Sequence, residues 1–278
     1  KQGVKFTNAY AACHVCSPTR ASIMTGKYPG RLDLTDWLSG RRDFDFQSHL
    51  SAEKLQALPL EEVTLAEALK ANGYRTGIFG KWHLGNDQAG PLSQGFDVQV
   101  PKWNGCCPRG GYHPPYKMEG LKIEGKEDEY LTDRLNFMAL DFIEQAGENP
   151  FFLYLSHFSV HDPIQGRKDL VEKYRAKRAK LHPIVGPEFI LEGNPDDKNP
   201  LSRKQLTELL GKPSHQGHKV LPQRTIKIKQ RQDNIEFAAM VEAVDQSLGR
   251  VMKKLEELGQ AENTIVIFAS DNGGMSAG

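Results

Sequence analysis

Apolar residues along this chain recur with two different periods. At three- and four-residue steps they mark helices. Leu131, Leu135, Met138, Phe142 and Ile143 predict one from about Tyr130 to Gln145. Phe237, Met240, Val241, Val244, Leu248, Val251, Met252, Leu255 and Leu258 predict a longer one from about Asn234 to Leu258, with Gly259 just past its end. A shorter helix is expected from about Leu65 to Asn72, because Thr64 and Glu67 have capping-box spacing and Gly73 follows. Short apolar runs between these read as strands: Thr76-Gly77-Ile78-Phe79, Phe151–Leu155 and Thr264–Ala269. The second run is continuous, as in a strand covered on both faces.

Helix-then-strand units predict an α/β fold in which a mostly parallel sheet is sandwiched by helices. Ligands of such sheets bind beyond the carboxyl ends of the strands. Polar residues recur at those points. Lys81 and His83 follow one strand, His157 and His161 the next, Asp271 and Asn272 the last. The stretch Gln165–Gln230 breaks the rhythm, being rich in Pro, Gly, Lys and Arg, and its segment Arg167–Lys180 holds seven basic and two acidic residues. It reads either as a solvated surface helix and loop, or as an insertion near the active site whose charge attracts an anionic substrate.

Composition narrows the function classes. The 278 residues suit one large α/β domain or two small ones. A net charge of +1 gives no reason to expect a nucleic acid or membrane partner, and no apolar run approaches the roughly 18 residues of a membrane span. Four cysteines lie at 13, 16, 106 and 107. Cys13 and Cys16 have C-x-x-C spacing, but no second such pair follows to complete a zinc site. Neighbours such as Cys106 and Cys107 bridge each other only with strain.

The segment Cys16-Ser17-Pro18-Thr19-Arg20 carries the most chemistry. Ser17 can cap a helix and Pro18 can occupy its first turn, which puts residue 16 at the positive end. Arg20 falls one turn along, able to fork onto an oxyanion. Against this, a free cysteine is often just a small buried hydrophobe. Lys81, in Gly80-Lys81-Trp82-His83-Leu84-Gly85, can neutralise charge growing on a transferred group, and His83 can move a proton near neutral pH. The plainer alternative there is a tight turn around a core tryptophan. His161, before Asp162-Pro163, is placed to be a general acid, whereas His157, nearer the strand, reads better as a hydrogen-bonded core histidine. Asp271 and Asn272 offer hard oxygen ligands to a divalent cation, or simply cap a glycine-rich turn.

These segments, in this order, resemble the formylglycine-dependent sulfatases. The pentapeptide matches the family's C-x-P-x-R core. The flanks Phe6-Thr7-Asn8-Ala9-Tyr10 and Ala21-Ser22-Ile23-Met24-Thr25-Gly26 match as well. The resemblance implies an alkaline-phosphatase-like fold and hydrolysis of sulfate esters, most closely those of sulfated carbohydrates or aryl sulfates. It implies that a maturation enzyme oxidises Cys16 to formylglycine (3-oxoalanine), whose hydrate attacks sulfur with one hydroxyl and expels sulfate with the other. By the same resemblance Arg20 and His83 serve that group, Lys81 binds a sulfate oxygen, and His161 contacts the leaving oxygen. Asp271, Asn272 and the converted residue 16 would hold calcium. The family's first strand, with an Asp-Asp pair completing the metal site, is expected before Lys1. A further pocket lysine and a smaller domain are expected after Gly278. The piece alone is thus expected to be inactive, and the whole protein periplasmic or secreted. Two other readings stand beside it: a phosphonate or phosphodiester hydrolase using the same nucleophile, and a non-catalytic protein binding sulfated glycans.

Overall fold

In the computed structural model, residues 3–44, 49–121, 128–183, 185–193, 198–199, 201–210 and 225–274 are described. At the centre, strand β1 (Arg75–Gly80) lies between β2 (Val98–Val100) and β3 (Phe151–Ser156), all three parallel. Side chains alternate across this sheet with period two. Ile78, Phe152 and Tyr154 face Ala21 and Met24 of α1 (Cys16–Thr25) and Ala66 of α2 (Leu65–Ala71), forming one core with Trp82 and Phe96. Phe79, Leu153 and Leu155 face Ala139 and Phe142 of α3 (Leu131–Ala146). Gly77 is required here: a Cβ on it would stand 2.8 Å from the Phe142 ring. Each large side chain enclosed this way contributes roughly 1.5–3 kcal/mol, so two apolar faces hold the sheet between its helices.

Local signals place the helices. At α2 the Thr64 hydroxyl accepts from Glu67 N–H and the Glu67 carboxylate accepts from Thr64 N–H, the reciprocal pair its spacing predicts. The long helix runs from Ile235 to Glu257, capped by Asn234 and followed by Gly259 at φ 68°. As a later-numbered helix it lies beside α3: Asn136 meets Ser247, Glu144 meets Lys254 and Gly147 meets Gln260.

Two expectations need correction. Residues 264–269, expected as a strand, join no sheet among the described residues, and Ile265 and Ile267 are 89% and 84% exposed. Branched residues favour a strand only where a neighbour can pair and cover them. The Phe151–Leu155 run is half-buried rather than fully covered, because among the described residues β3 is paired on one edge only. Cys106 and Cys107 are joined as a disulfide.

The stretch after Gln165 carries α4 (Lys168–Ala179), an antiparallel pair β4 (Phe189–Gly193) and β5 (Thr225–Lys229), and α5 (Arg203–Leu210); with these, the long helix Ile235–Glu257 is α6. Residues 211–224 of the expected insertion lie outside the described residues. Among the described residues no helix is long and apolar enough to cross a membrane.

Candidate active site

The carboxyl ends of β1 and β3 meet the start of α1. Cys16 is the first residue of α1 and is half-buried. Val15 holds the cap position without a side-chain hydrogen bond, so the positive helix end at residue 16 has no capping side chain. Ser17, expected as the cap, lies one residue inside the helix. Its buried hydroxyl instead accepts from Leu38 N–H at 3.1 Å. Pro18 falls in the first turn as expected.

Arg20 is 4% exposed and ties three elements together. Its Nε donates to the Trp82 carbonyl at 2.8 Å, and one terminal nitrogen donates to the Lys81 carbonyl and the Ser156 hydroxyl. The other donates to Asp271 at 3.2 Å, and the guanidinium lies over the Tyr154 ring. Its donors are thus engaged by protein groups, two of them backbone carbonyls and two side chains. Ser156 also donates to the Lys81 carbonyl, and Lys81 N–H donates to the Ser156 carbonyl at 2.7 Å. Gly80 makes that approach possible, since a Cβ there would stand 1.8 Å from the Ser156 carbonyl oxygen.

Lys81 and His83 are both buried beside residue 16. Burial, with Arg20 nearby, holds the Lys81 ammonium below the ordinary lysine range, although Cys16 and Asp271 oppose this. His83 adopts φ 58°, an uncommon backbone state for a residue with a side chain. It is held there by its N–H on the Asn104 carbonyl and by Nε2 on the Leu38 carbonyl at 2.5 Å. A carbonyl only accepts, so Nε2 carries the proton. Nδ1 is then a buried acceptor with no hydrogen-bond partner.

His161 completes the group. Its Nδ1 is engaged by the Asp162 carboxylate at 2.6 Å, and its backbone N–H donates to the Phe158 carbonyl. The interaction with Cys16, with Asp162 adding to it, raises His161 above the ordinary histidine range despite partial burial. For the Cys16 thiol, burial alone works upward. The contacts with His161 and His83 and the charge of Lys81 outweigh it and bring the thiol to about 5. An anion at residue 16 meets Lys81 and His161, the two groups there that can carry positive charge.

His157 sits apart, as expected of a core histidine: Nε2 meets the Ser247 hydroxyl at 2.9 Å, and burial lowers the ring to about 4. Asp271 and Asn272 lie at the edge of the site, Asp271 tied to Arg20 and the Asn272 amide donating to Gly273. Their oxygens suit a hard cation but supply only two of the about six to eight that calcium takes. Among the described residues no group of three or more His, Cys, Asp or Glu side chains could hold a metal.

Sequence reasoning did not single out Ser156, Asn104, Tyr112 or the Leu38 carbonyl. Tyr112 is fully buried, donates to the His161 carbonyl at 3.0 Å and stacks on Tyr130. Its tyrosine-in-a-Gly/Pro-loop setting, Gly110-Gly111-Tyr112-His113-Pro114-Pro115, was a visible signal.

An ulvan-active sulfatase of Formosa agariphila is 29% identical over 99% of this chain and 44% of its own length. Human N-acetylgalactosamine-6-sulfatase is 28% identical over 98% of this chain and 43% of its own. The chain therefore spans less than half the length of either relative. Two crystal structures share the fold. One is Ps i-CgsB (TM-score 0.57, 22% identity, 90% of this chain and 46% of that one). The other is a protein in complex with its substrate D-glucosamine-2-N,6-O-disulfate (TM-score 0.56, 21% identity, 92% and 56%). The Sulfatase family model matches residues 1–278, and the chain belongs to that family.

Proposed function

We propose that the protein containing this chain hydrolyses sulfate esters of carbohydrates, with residue 16 as nucleophile. One observation carries the reading: Lys81, His83 and His161 all act on residue 16 at an uncapped helix end. The relatives' names, which specify ulvan and N-acetylgalactosamine 6-sulfate, support a sulfated carbohydrate as substrate.

The Cys16 thiol stands in for a hydroxyl of the hydrated formylglycine that a maturation enzyme would make there. Once formed, that group would supply two hydroxyls, one to attack sulfur and one whose electrons expel the sulfate. His83 Nδ1, the unpartnered acceptor, is placed to take a proton from residue 16. The Lys81 ammonium stabilises charge on the sulfate oxygens in a site that excludes much of the water. His161, with Nδ1 held by Asp162, would protonate the leaving sugar oxygen from its other ring nitrogen. Arg20 acts as a clamp on the Lys81–Trp82 backbone more than as a sulfate ligand. Asp271 and Asn272, with residue 16, would hold a divalent cation, calcium in this reading, which polarises S–O bonds.

Periplasmic or secreted placement fits the Cys106–Cys107 bridge, since such bonds persist in oxidising compartments. The test is sulfate release by the full-length protein co-produced with a formylglycine-forming maturation system, on matched aryl sulfate, sulfated sugar and phosphodiester substrates. Preferred turnover of the sulfates supports the reading. Faster phosphodiester turnover, or a Cys16 peptide that stays wholly a thiol with no sulfate released, contradicts it.

A further inference from the structure

Beside the site lies a cleft of about 450 Å³ that the chemistry above does not use. Its walls are Ile164–Gly166, the α4 residues Lys168, Val171, Glu172 and Arg175, His113, and Glu236 at the start of α6. Its place in the fold is informative. α6 runs alongside α3, with Asn136 near Ser247 and Glu144 near Lys254, so the first turns of α6 project past the carboxyl ends of the strands. Lys173 and Glu242, 2.6 Å apart, tie α4 to those turns. Ile164 is three residues after His161, so the cleft wall lies within about 11 Å of chain from the proposed general acid. That is the reach of a neighbouring sugar in a chain.

The lining chemistry is mixed in a specific way. Arg175 is exposed and has no ion pair among the described residues, while Lys168 is engaged by Asp128. Glu236 accepts from Gly166 N–H at 2.6 Å, which leaves Glu172 as the open carboxylate. His113 uses Nε2 on the Gly166 carbonyl, so its Nδ1 is an acceptor, enclosed and without a partner. Ile164 and Val171 give an apolar floor. A guanidinium for an oxyanion, an open carboxylate for hydroxyls and an aliphatic surface are what an anionic sugar presents partners to.

We infer that this cleft is a subsite for the sugar adjoining the one that bears the scissile sulfate, with Arg175 binding that neighbour's carboxylate or second sulfate. The inference rests on the carbohydrate sulfatase reading. It names a substrate class: oligosaccharides with an anionic group on adjacent residues.

The test is calorimetric binding of the full-length protein to three probes: a chondroitin 6-sulfate tetrasaccharide, whose neighbouring sugar is a uronate; an iota-carrageenan tetrasaccharide, whose neighbour is sulfated; and N-acetylgalactosamine 6-sulfate alone. At least one tetrasaccharide should bind more tightly than the monosaccharide, and which one does so identifies the oxyanion. Arg175→Ala should weaken that tetrasaccharide about fivefold and leave the monosaccharide unchanged, with Arg175→Lys retaining most of the affinity. Equal binding by Arg175→Ala and wild type, parallel weakening of both probe sizes, or no tetrasaccharide preferred over the monosaccharide would each overturn it. Binding needs no turnover, so the outcomes separate. A protein that releases no sulfate but shows the Arg175-dependent preference keeps the subsite and loses the hydrolase.

Discussion

Two charged regions of this molecule are built on opposite plans. At the strand ends, Arg20 and Lys81 are buried, and Arg20 is satisfied by two backbone carbonyls, the Ser156 hydroxyl and Asp271. Along α4, lysines stand in solvent and meet carboxylates pairwise, as in Lys173–Glu242 and Lys168–Asp128. The difference is one of dielectric surroundings. A buried cation keeps its charge only while each donor is satisfied, so its position becomes fixed. An exposed pair is screened and replaceable, worth little to stability and free to meet a ligand. Precision in the first region and adaptability in the second follow from burial alone.

Changes at the strand ends should therefore be severe. Gly80→Ala forces a Cβ against the Ser156 carbonyl at a φ of +124°, and should cost about 4 kcal/mol or prevent folding. Urea denaturation followed by circular dichroism measures it, and a near-native midpoint would break the comparison. Arg20→Ala strips the donor from two carbonyls and the Ser156 hydroxyl, and should cost about 3 kcal/mol by the same method. Arg20→Lys should not restore it, because one ammonium cannot span that fork.

His157 sharpens the comparison through pH. Its folded value, about 4, lies below the ordinary histidine value in the unfolded chain. The unfolded state thus binds the proton more readily, and stability present above about pH 6.5 is lost as pH falls toward 4. Urea midpoints across that window should decline in wild type and decline less in His157→Gln. In the exposed region, Lys173→Ala should leave the midpoint unchanged within error at ordinary salt.

What the sequence disclosed divides along a physical line. The helices were legible because their signals are local: the Thr64–Glu67 box, the Gly259 stop and the three-four spacing of α3 and α6. Lys81, His83 and His161 were legible because strand ends collect such groups. The Leu38 and Asn104 carbonyls and Ser156 were not, since a backbone acceptor or one serine carries no pattern until distant segments meet. β2, with three residues, was too short to show a period. Residues 264–269 erred the other way: branched side chains marked a strand that has no paired neighbour among the described residues. β4 and β5 went unread, since they pair across more than thirty residues.

The claim beneath the whole account is that Lys81, His83 and His161 converge on residue 16. The pH dependence of Cys16 alkylation by iodoacetamide in the unmatured chain tests it most directly, with Cys13→Ala removing the other free thiol. The account predicts half-maximal reactivity near pH 5, rising toward the ordinary thiol range in His161→Ala or Lys81→Ala. Half-maximal reactivity near about 8.5, unmoved by either substitution, would contradict it.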